Sequence, residues 1–391
     1  MHNRWVALTV IVVAQLCALS VWFSASAVLP SLQEEWGLSV DQGWVVTVSV
    51  QLGFACGAIV SALLGFADRY NPKRIFMVAS LAAGVFNGLL IFSSTLELAL
   101  VLRFLTGFVL AGVYPIAIKL VSLWFQSFRS ISIGILIAGL TLGSALPYLL
   151  LGFQTNLLWQ TTILISSVLA IIAGLALFVL LPTKEAQASS SKFSFRNIHY
   201  VVRNRKVMYA NYGYWFHMWE LYAMWTWLPF FLMASFTNSD SSYSYLIAFV
   251  AIGVFGGVGS FLGGVWAERM GKVRFTIIAM TTSGICAILI GLTFQQHPFL
   301  TAFVAIIWGA SIIADSGQFS ALVSDYASPE YVGTALTMQL GVGFLLTAVS
   351  IYLVSVFVPV IGWGAVFLII SIGPLLGVFA MLRLEKMIQS T

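Results

Sequence analysis

Five ionisable side chains stand inside otherwise apolar runs: Arg103, Lys119, His217, Glu220 and Asp315. A charged group at bilayer depth costs about 2.5 kcal/mol or more, so such a residue faces a cavity or a partner and marks a path for ions or substrate. Glu220 and His217 lie in residues 212–229, a run of Tyr and Trp, and being three apart they share a helix face. Burial favours the neutral form of a carboxyl and a nearby cation favours the charged form, a balance suited to carrying a proton. Glu220 is therefore expected to exchange protons, with His217 orienting it and Lys119 or Arg103 as partner across a cavity. Asp315 sits in a polar cluster, Asp-Ser-Gly-Gln, and is the second coupling candidate; Gly317 beside it suits a bend or a close helix approach. Lys119 is a candidate for gripping an anionic group on a substrate. The plainer alternatives are a packing ion pair for Arg103, a structural pair with segment 4 or a His217 hydrogen bond for Glu220, and a snorkelling side chain for Lys119.

The elements that must position these groups are membrane helices. The chain has 391 residues, 60% hydrophobic and 8% charged, with mean hydropathy +0.99. A soluble domain carries about 25% charged residues. Apolar runs of about 20 residues match a hydrocarbon core of about 30 Å at 1.5 Å per residue, and helices satisfy their own backbone there. Breakers divide the chain into twelve apolar segments: 5–29, 44–66, 74–93, 97–124, 131–152, 159–181, 208–235, 244–267, 274–294, 299–325, 333–358 and 362–382. The fold expected is an all-α integral membrane protein of twelve transmembrane helices in two pseudo-symmetric six-helix bundles, 1–181 and 208–391. Residues 182–207 form a cytoplasmic linker with Ser189–Ser191, Arg196, Arg203, Arg205 and Lys206. That linker is either solvated or an amphipathic stretch on the inner leaflet, with Phe193, Phe195, Ile198 and Val202 towards lipid. The first run lacks a small-residue cleavage site and is expected to be retained. Cys17, Cys56 and Cys286 fall within apolar runs and suggest buried thiols, not disulfides.

Charge sets the orientation. With both termini cytoplasmic, Arg4, Arg69, Lys73, Arg74, Arg129, the linker cations, Arg269, Lys272, Arg274, Arg383 and Lys386 all fall inside. The opposite loops carry only acids such as Glu34, Glu35, Asp41 and Asp240. This is the positive-inside pattern, and it explains the pI near 9.1 without a nucleic-acid partner.

The loop after segment 2 reads Leu64-Gly65-Phe66-Ala67-Asp68-Arg69-Tyr70-Asn71-Pro72-Lys73-Arg74, and the loop after segment 8 reads Gly264-Val265-Trp266-Ala267-Glu268-Arg269-Met270-Gly271-Lys272. Both carry an acid–base pair, a turn and further cations at the same place in each half, the pattern of a parallel repeat. The second copy resembles the loop signature of the major facilitator superfamily at Gly264, Glu268, Arg269, Gly271 and Lys272. The first departs from it: Leu64 and Gly65 shift the first Gly by one place, and Asn71-Pro72 replaces the second. Arg103 followed by Gly107 is similar to a motif of the family's fourth helix.

The resemblance implies several further expectations. Asp68, Arg69, Gly264, Glu268 and Arg269 would form gating loops that latch the halves. Segments 1, 4, 7 and 10 would line a central cavity, which places all five intramembrane charges on cavity helices. Gln15, Trp22, Gln51, Tyr114, Trp219, Gln318 and Gln339 would supply neutral contacts. Segment 5 lacks the Gly-Pro pair usual in the family's drug antiporters. The Tyr-Pro tract of segment 4 and the Asp-Ser-Gly-Gln run resemble a bacterial group allied to nitrate/nitrite porters, without those porters' substrate arginines. No P-loop, metal cluster or nucleophile elbow appears, so neither a cofactor nor an enzyme activity is expected. The function expected is a monomeric inner-membrane transporter that moves a small polar or anionic solute with protons by alternating access. A proton/drug antiporter, with Glu220 and aromatics on a lipophilic cation, and a transporter-like receptor are the alternatives.

Overall fold

The computed structural model describes residues 4–38, 40–125, 128–153, 158–183, 194–236 and 241–390, with backbone alone for residues 40, 41, 67, 68, 129 and 130. The expectations for Lys184, Asp240, Phe193, residues 154–156 and residues 189–191 lie outside these, as do those for the side chains of Asp41, Asp68 and Arg129. Among the described residues all regular structure is helical. Ten helices are long and apolar enough to cross a membrane, and they coincide with segments 2–6 and 8–12.

Segments 1 and 7 depart from that standard for different reasons. Segment 1 is expected as one helix over 5–29, but Arg4–Leu19 stops after 16 residues, about 24 Å at the usual rise. Short helices at Ser24–Ala27 and Leu29–Trp36 follow. Serines cause the break locally. Ser20 Oγ donates to the Cys17 carbonyl at 2.7 Å and Ser24 Oγ to that of Val21 at 3.0 Å, bonds that compete with the helical ladder. Segment 7 is a single helix, Arg205–Ser235, capped by Asn204, whose side chain accepts from the Val207 amide. Its 31 residues exceed a crossing, and Tyr, Trp, His217 and Glu220 make it less apolar than the ten.

Segments 4 and 10 each break once. Segment 4 divides into Leu96–Leu110 and Tyr114–Trp124, because Pro115 brings no N–H to the preceding turn. Segment 10 divides into Pro298–Ala314 and Ser316–Tyr326, with Asp315 at the joint. Segment 8 contains a π-helical stretch, Phe249–Phe255.

Glycine seats hold the broken helices to their neighbours, and their positions repeat. A Cβ on Gly53 or Gly57 of segment 2 would meet the carbonyl of Phe104 or Phe108 of segment 4 at 2.0 and 2.2 Å. A Cβ on Gly259 or Gly263 of segment 8 would meet that of Ala310 or Ala314 of segment 10 at 1.9 and 2.1 Å. All four residues recur 206 positions on (259 against 53, 310 against 104), so the repeat is in helix packing as well as in the loops. Gly317, expected to permit close approach, meets only the Ile137 side chain at an ordinary 3.5 Å.

Segment 5 crosses to segment 8: Thr141 Oγ1 donates to the Gly253 carbonyl at 3.1 Å and Ser260 Oγ to that of Gly134 at 3.1 Å. Segment 2 crosses to segment 11, where Thr347 Oγ1 donates to Gln51 Oε1 at 3.0 Å. The linker's described part, Phe195–Asn197 and Ile198–Arg203, docks on the second half. The Ser194 amide donates to Thr334 Oγ1 at 3.1 Å and Asn204 Nδ2 to the Tyr326 carbonyl at 2.9 Å. Phe195 and Val202 stay exposed, while Val201 is buried.

Candidate transport site

A cavity of about 540 Å³ runs between the two halves, within the usual range for small-molecule sites. Its inner end is aromatic: Trp22, Phe54, Tyr222, Trp225 and Phe344 line it. Tyr114, Tyr214, Ile137 and Gln318 form the middle, and Gly264, Lys272, Ser324 and Asp325 the other end. Ser324 and Asp325 are exposed, so the cavity opens on the face that carries the basic loops.

The opposite end is shut by rings from both halves. Trp22 packs on Phe54, Tyr222 and Phe344 with centroids 5.0, 5.8 and 6.0 Å away. Behind it Phe23 meets Tyr222 at 6.3 Å, Trp225 at 6.1 Å and Tyr148 at 6.5 Å. Hydroxyls tie the plug to the backbone: Tyr148 donates to the Trp225 carbonyl and Tyr245 to that of Ala27, both at 3.4 Å. Trp22 and Trp225 are 4% and 1% exposed, and their indole N–H groups have no hydrogen-bond partner among the described residues. A buried donor without a partner costs about 1–3 kcal/mol, which an acceptor on a ligand would recover.

The acids lie beside the cavity, inside the second half. Glu220 is 1% exposed. Trp308 Nε1 donates to its Oε1 at 2.7 Å and Ser283 Oγ to its Oε2 at 2.9 Å. One turn earlier His217 Nδ1 lies 2.9 Å from Asp315 Oδ1, an ion pair when the imidazole is protonated. His217 Nε2 has no partner among the described residues. Segment 7 is thus tied to segment 10 both at the joint, through Asp315, and two turns before it, through Trp308.

Several expected partnerships are corrected by this arrangement. Glu220 meets neither Arg103 nor Lys119, and His217 is engaged by Asp315 instead of orienting Glu220. Arg103 is fully buried in the first half, where its guanidinium donates to the Val21 carbonyl at 2.9 Å, to Asn87 Oδ1 at 2.9 Å and to the Trp22 carbonyl. Those carbonyls are freed by the break in segment 1, so Arg103 replaces the missing turn. Of the three residues it bonds, Trp22 is the one that lines the cavity. Lys119 is half-buried on Tyr114–Trp124, and Tyr114, Pro115 and Ile118 of that helix line the cavity instead.

Of the neutral candidates, Trp22, Tyr114 and Gln318 line the cavity. Gln15 Nε2 donates to the Leu136 carbonyl at 2.8 Å, and Gln339 Oε1 accepts from Ser320 Oγ at 2.9 Å. Trp219 donates to the Ile369 carbonyl at 3.3 Å, on the side of segment 12. Gln51 is held by Thr347 as above. Among the loop residues, Gly264 reaches the cavity, while Arg69, Glu268 and Arg269 are exposed. Among the described residues the ion pairs on this face are those of Lys272 with Asp325 at 2.5 Å and Arg274 with Glu385 at 2.9 Å, both within the second half.

Trp308, Ser283, Trp225, Phe54 and Phe344 were not singled out from the sequence. Trp308 left one readable trace, an indole seven residues before Asp315 on the same segment. Ser283 left none.

A helical membrane protein with a cavity between its halves, open at one face and plugged at the other, is the architecture of an alternating-access carrier. The Major Facilitator Superfamily profile matches residues 11–313, and the chain belongs to that family, whose members are transporters and not enzymes. Its relatives include the putative niacin/nicotinamide transporter NiaP of Bacillus subtilis, 36% identical over 98 residues, 25% of this chain and 24% of that one. The chain therefore aligns with only about a quarter of that relative's length. The gallate transporter of Pseudomonas putida is 24% identical over 390 residues, covering 87% of this chain and 84% of its own. In fold the chain is similar to the nucleoside transporter NupG, with a TM-score of 0.74 at 15% identity, covering 98% of this chain and 100% of that one.

Proposed function

We propose that this protein is a proton-coupled secondary transporter of a small organic anion bearing an aromatic ring. The observation that carries this reading is the inner end of the cavity, where two buried, unpartnered indole N–H groups stand among flat ring faces. Rings offer stacking surface for a planar ligand, and N–H donors suit a carboxylate. The relatives are named for niacin or nicotinamide and for gallate, all aromatic-ring compounds, of which niacin and gallate are acids of the same class. Lys272 stands at the cavity mouth, paired there with Asp325.

In this reading twelve helices cross the inner membrane, with residues 1–181 and 208–391 as two six-helix bundles around the linker 182–207, and with both termini cytoplasmic. Segment 1 crosses as a broken helix and segment 7 as a polar one. Glu220 takes the proton, and the His217–Asp315 pair joins segment 7 to the hinge of segment 10. Protonation of Asp315 releases that pair. The conformation is open to the cytoplasm, a reading supported by the exposure of Ser324 and Asp325 where the cavity meets the basic face.

Uptake into proteoliposomes tests this. With an inward proton gradient, accumulation is expected for benzoate- and nicotinate-like acids and not for lipophilic cations. Export of cationic drugs against the gradient, with no uptake of aromatic acids, would overturn it in favour of drug/proton antiport.

A further inference from the structure

The helix of segment 7 begins, and that of segment 12, Trp363–Gln389, ends, on the basic face, and between them lies a second cavity of about 570 Å³. It is separate from the transport cavity and shares no residue with it. Three cations, Arg205, Arg383 and Lys386, and two phenols, Tyr209 and Tyr212, line it. No carboxylate lines it among the described residues, and the nearest acid along segment 12, Glu385, is paired with Arg274. The next cation along segment 7 turns away, since Lys206 lies over the Tyr326 ring at 5.6 Å. Three like charges facing one groove repel one another and destabilise the free protein unless an anion joins them.

The groove's surroundings identify the anion. Phe379, one turn before Arg383, is 54% exposed and carries the Arg383 guanidinium on its ring at 5.0 Å. Leu382 beside it is 42% exposed. The groove therefore stands where an apolar outer wall meets the basic face, the depth of lipid headgroups. We infer that this groove is a binding site for the phosphodiester headgroup of an anionic phospholipid. The cations hold the phosphate, the phenols donate to its ester and glycerol oxygens, and the acyl chains run down the wall past Phe379. One lipid so placed would join the linker, through Arg205 and Val202, to the last helix, and steady the start of segment 7 on which Glu220 stands.

The test is native mass spectrometry of the full chain extracted with equal amounts of phosphatidylglycerol and phosphatidylcholine. The wild type is expected to retain phosphatidylglycerol preferentially, and Arg383→Gln or Lys386→Gln each to cut that preference about fivefold. Arg196→Gln, on the linker outside the groove, is expected to leave it unchanged. Equal preference in wild type and both groove variants would overturn the site. So would an inorganic-phosphate adduct retained in place of lipid and lost in the same variants, which would assign the groove to a soluble phosphate.

Discussion

Glu220→Gln keeps the shape and two polar atoms that Trp308 and Ser283 bind, while removing the titrating group. It is expected to abolish gradient-driven accumulation and spare exchange of substrate between the two sides; unchanged pH-driven accumulation would remove Glu220 from the mechanism. Trp225→Phe keeps an aromatic face, with a smaller ring, and deletes one unpartnered donor. A hydrogen bond to a charged acceptor is worth about 1.5–3 kcal/mol, so KM for an aromatic acid should rise about tenfold or more, with little change for its uncharged amide. Asp315→Asn strands His217 in a buried site, at a cost of about 3–5 kcal/mol for a broken buried pair. A lower Tm is expected, partly restored in the double variant with His217→Gln, and simple additivity of the two shifts would dismiss the coupling. The sequence exposed these residues because ionisable groups are rare in apolar runs. It could not pair them: Arg103, Glu220 and Asp315 were legible as buried charges, but partners such as Ser283 lie 63 positions away on an unremarkable apolar stretch.

Most helices were readable because a membrane crossing demands length and apolarity together, and segments 2–6 and 8–12 supply both. The breaks were not. Segment 1 was expected as one helix since its apolar run continues unbroken past Ser20. The chain stops coiling there, where Ser20 and Ser24 bond back to the backbone, and Arg103, 82 positions on, takes up the Val21 carbonyl. The glycine seats were also hidden, since a Gly in an apolar run does not announce which backbone it touches. They make a direct prediction. Gly53→Ala and Gly259→Ala place a Cβ against a carbonyl at 2.0 and 1.9 Å, and should each destabilise by about 1–3 kcal/mol in thermal unfolding. Gly317→Ala, with ordinary spacing, should be tolerated. Equal Tm values for all three would show that the close approaches do not matter to stability.

At the scale of the molecule, access is one-sided. Ser320 lines the cavity, and Tyr222 belongs to the plug. In the substrate-free protein Ser320→Cys is expected to react with a membrane-impermeant thiol reagent applied on the basic face and not from the other. Reaction from both faces at similar rates would mean that the aromatic plug does not seal. A repeat was expected from the loops at Asp68 and Glu268, and the glycine seats recur 206 positions apart. What joins the two halves was not legible, because hydroxyl-to-carbonyl bonds such as Thr141 to Gly253 use residue types common throughout the chain.

The plug has an optical consequence. Trp22 and Trp225 sit where the halves touch, in a dry wall of rings with the indole nitrogens unpaired. Opening that end to water, or seating a carboxylate against it, changes the polarity around both indoles at once. The protein thus contains its own fluorophores at that seam, and in the proposed alternating cycle an emission shift lost in Trp22→Phe/Trp225→Phe would time the passage between the two open states without any label.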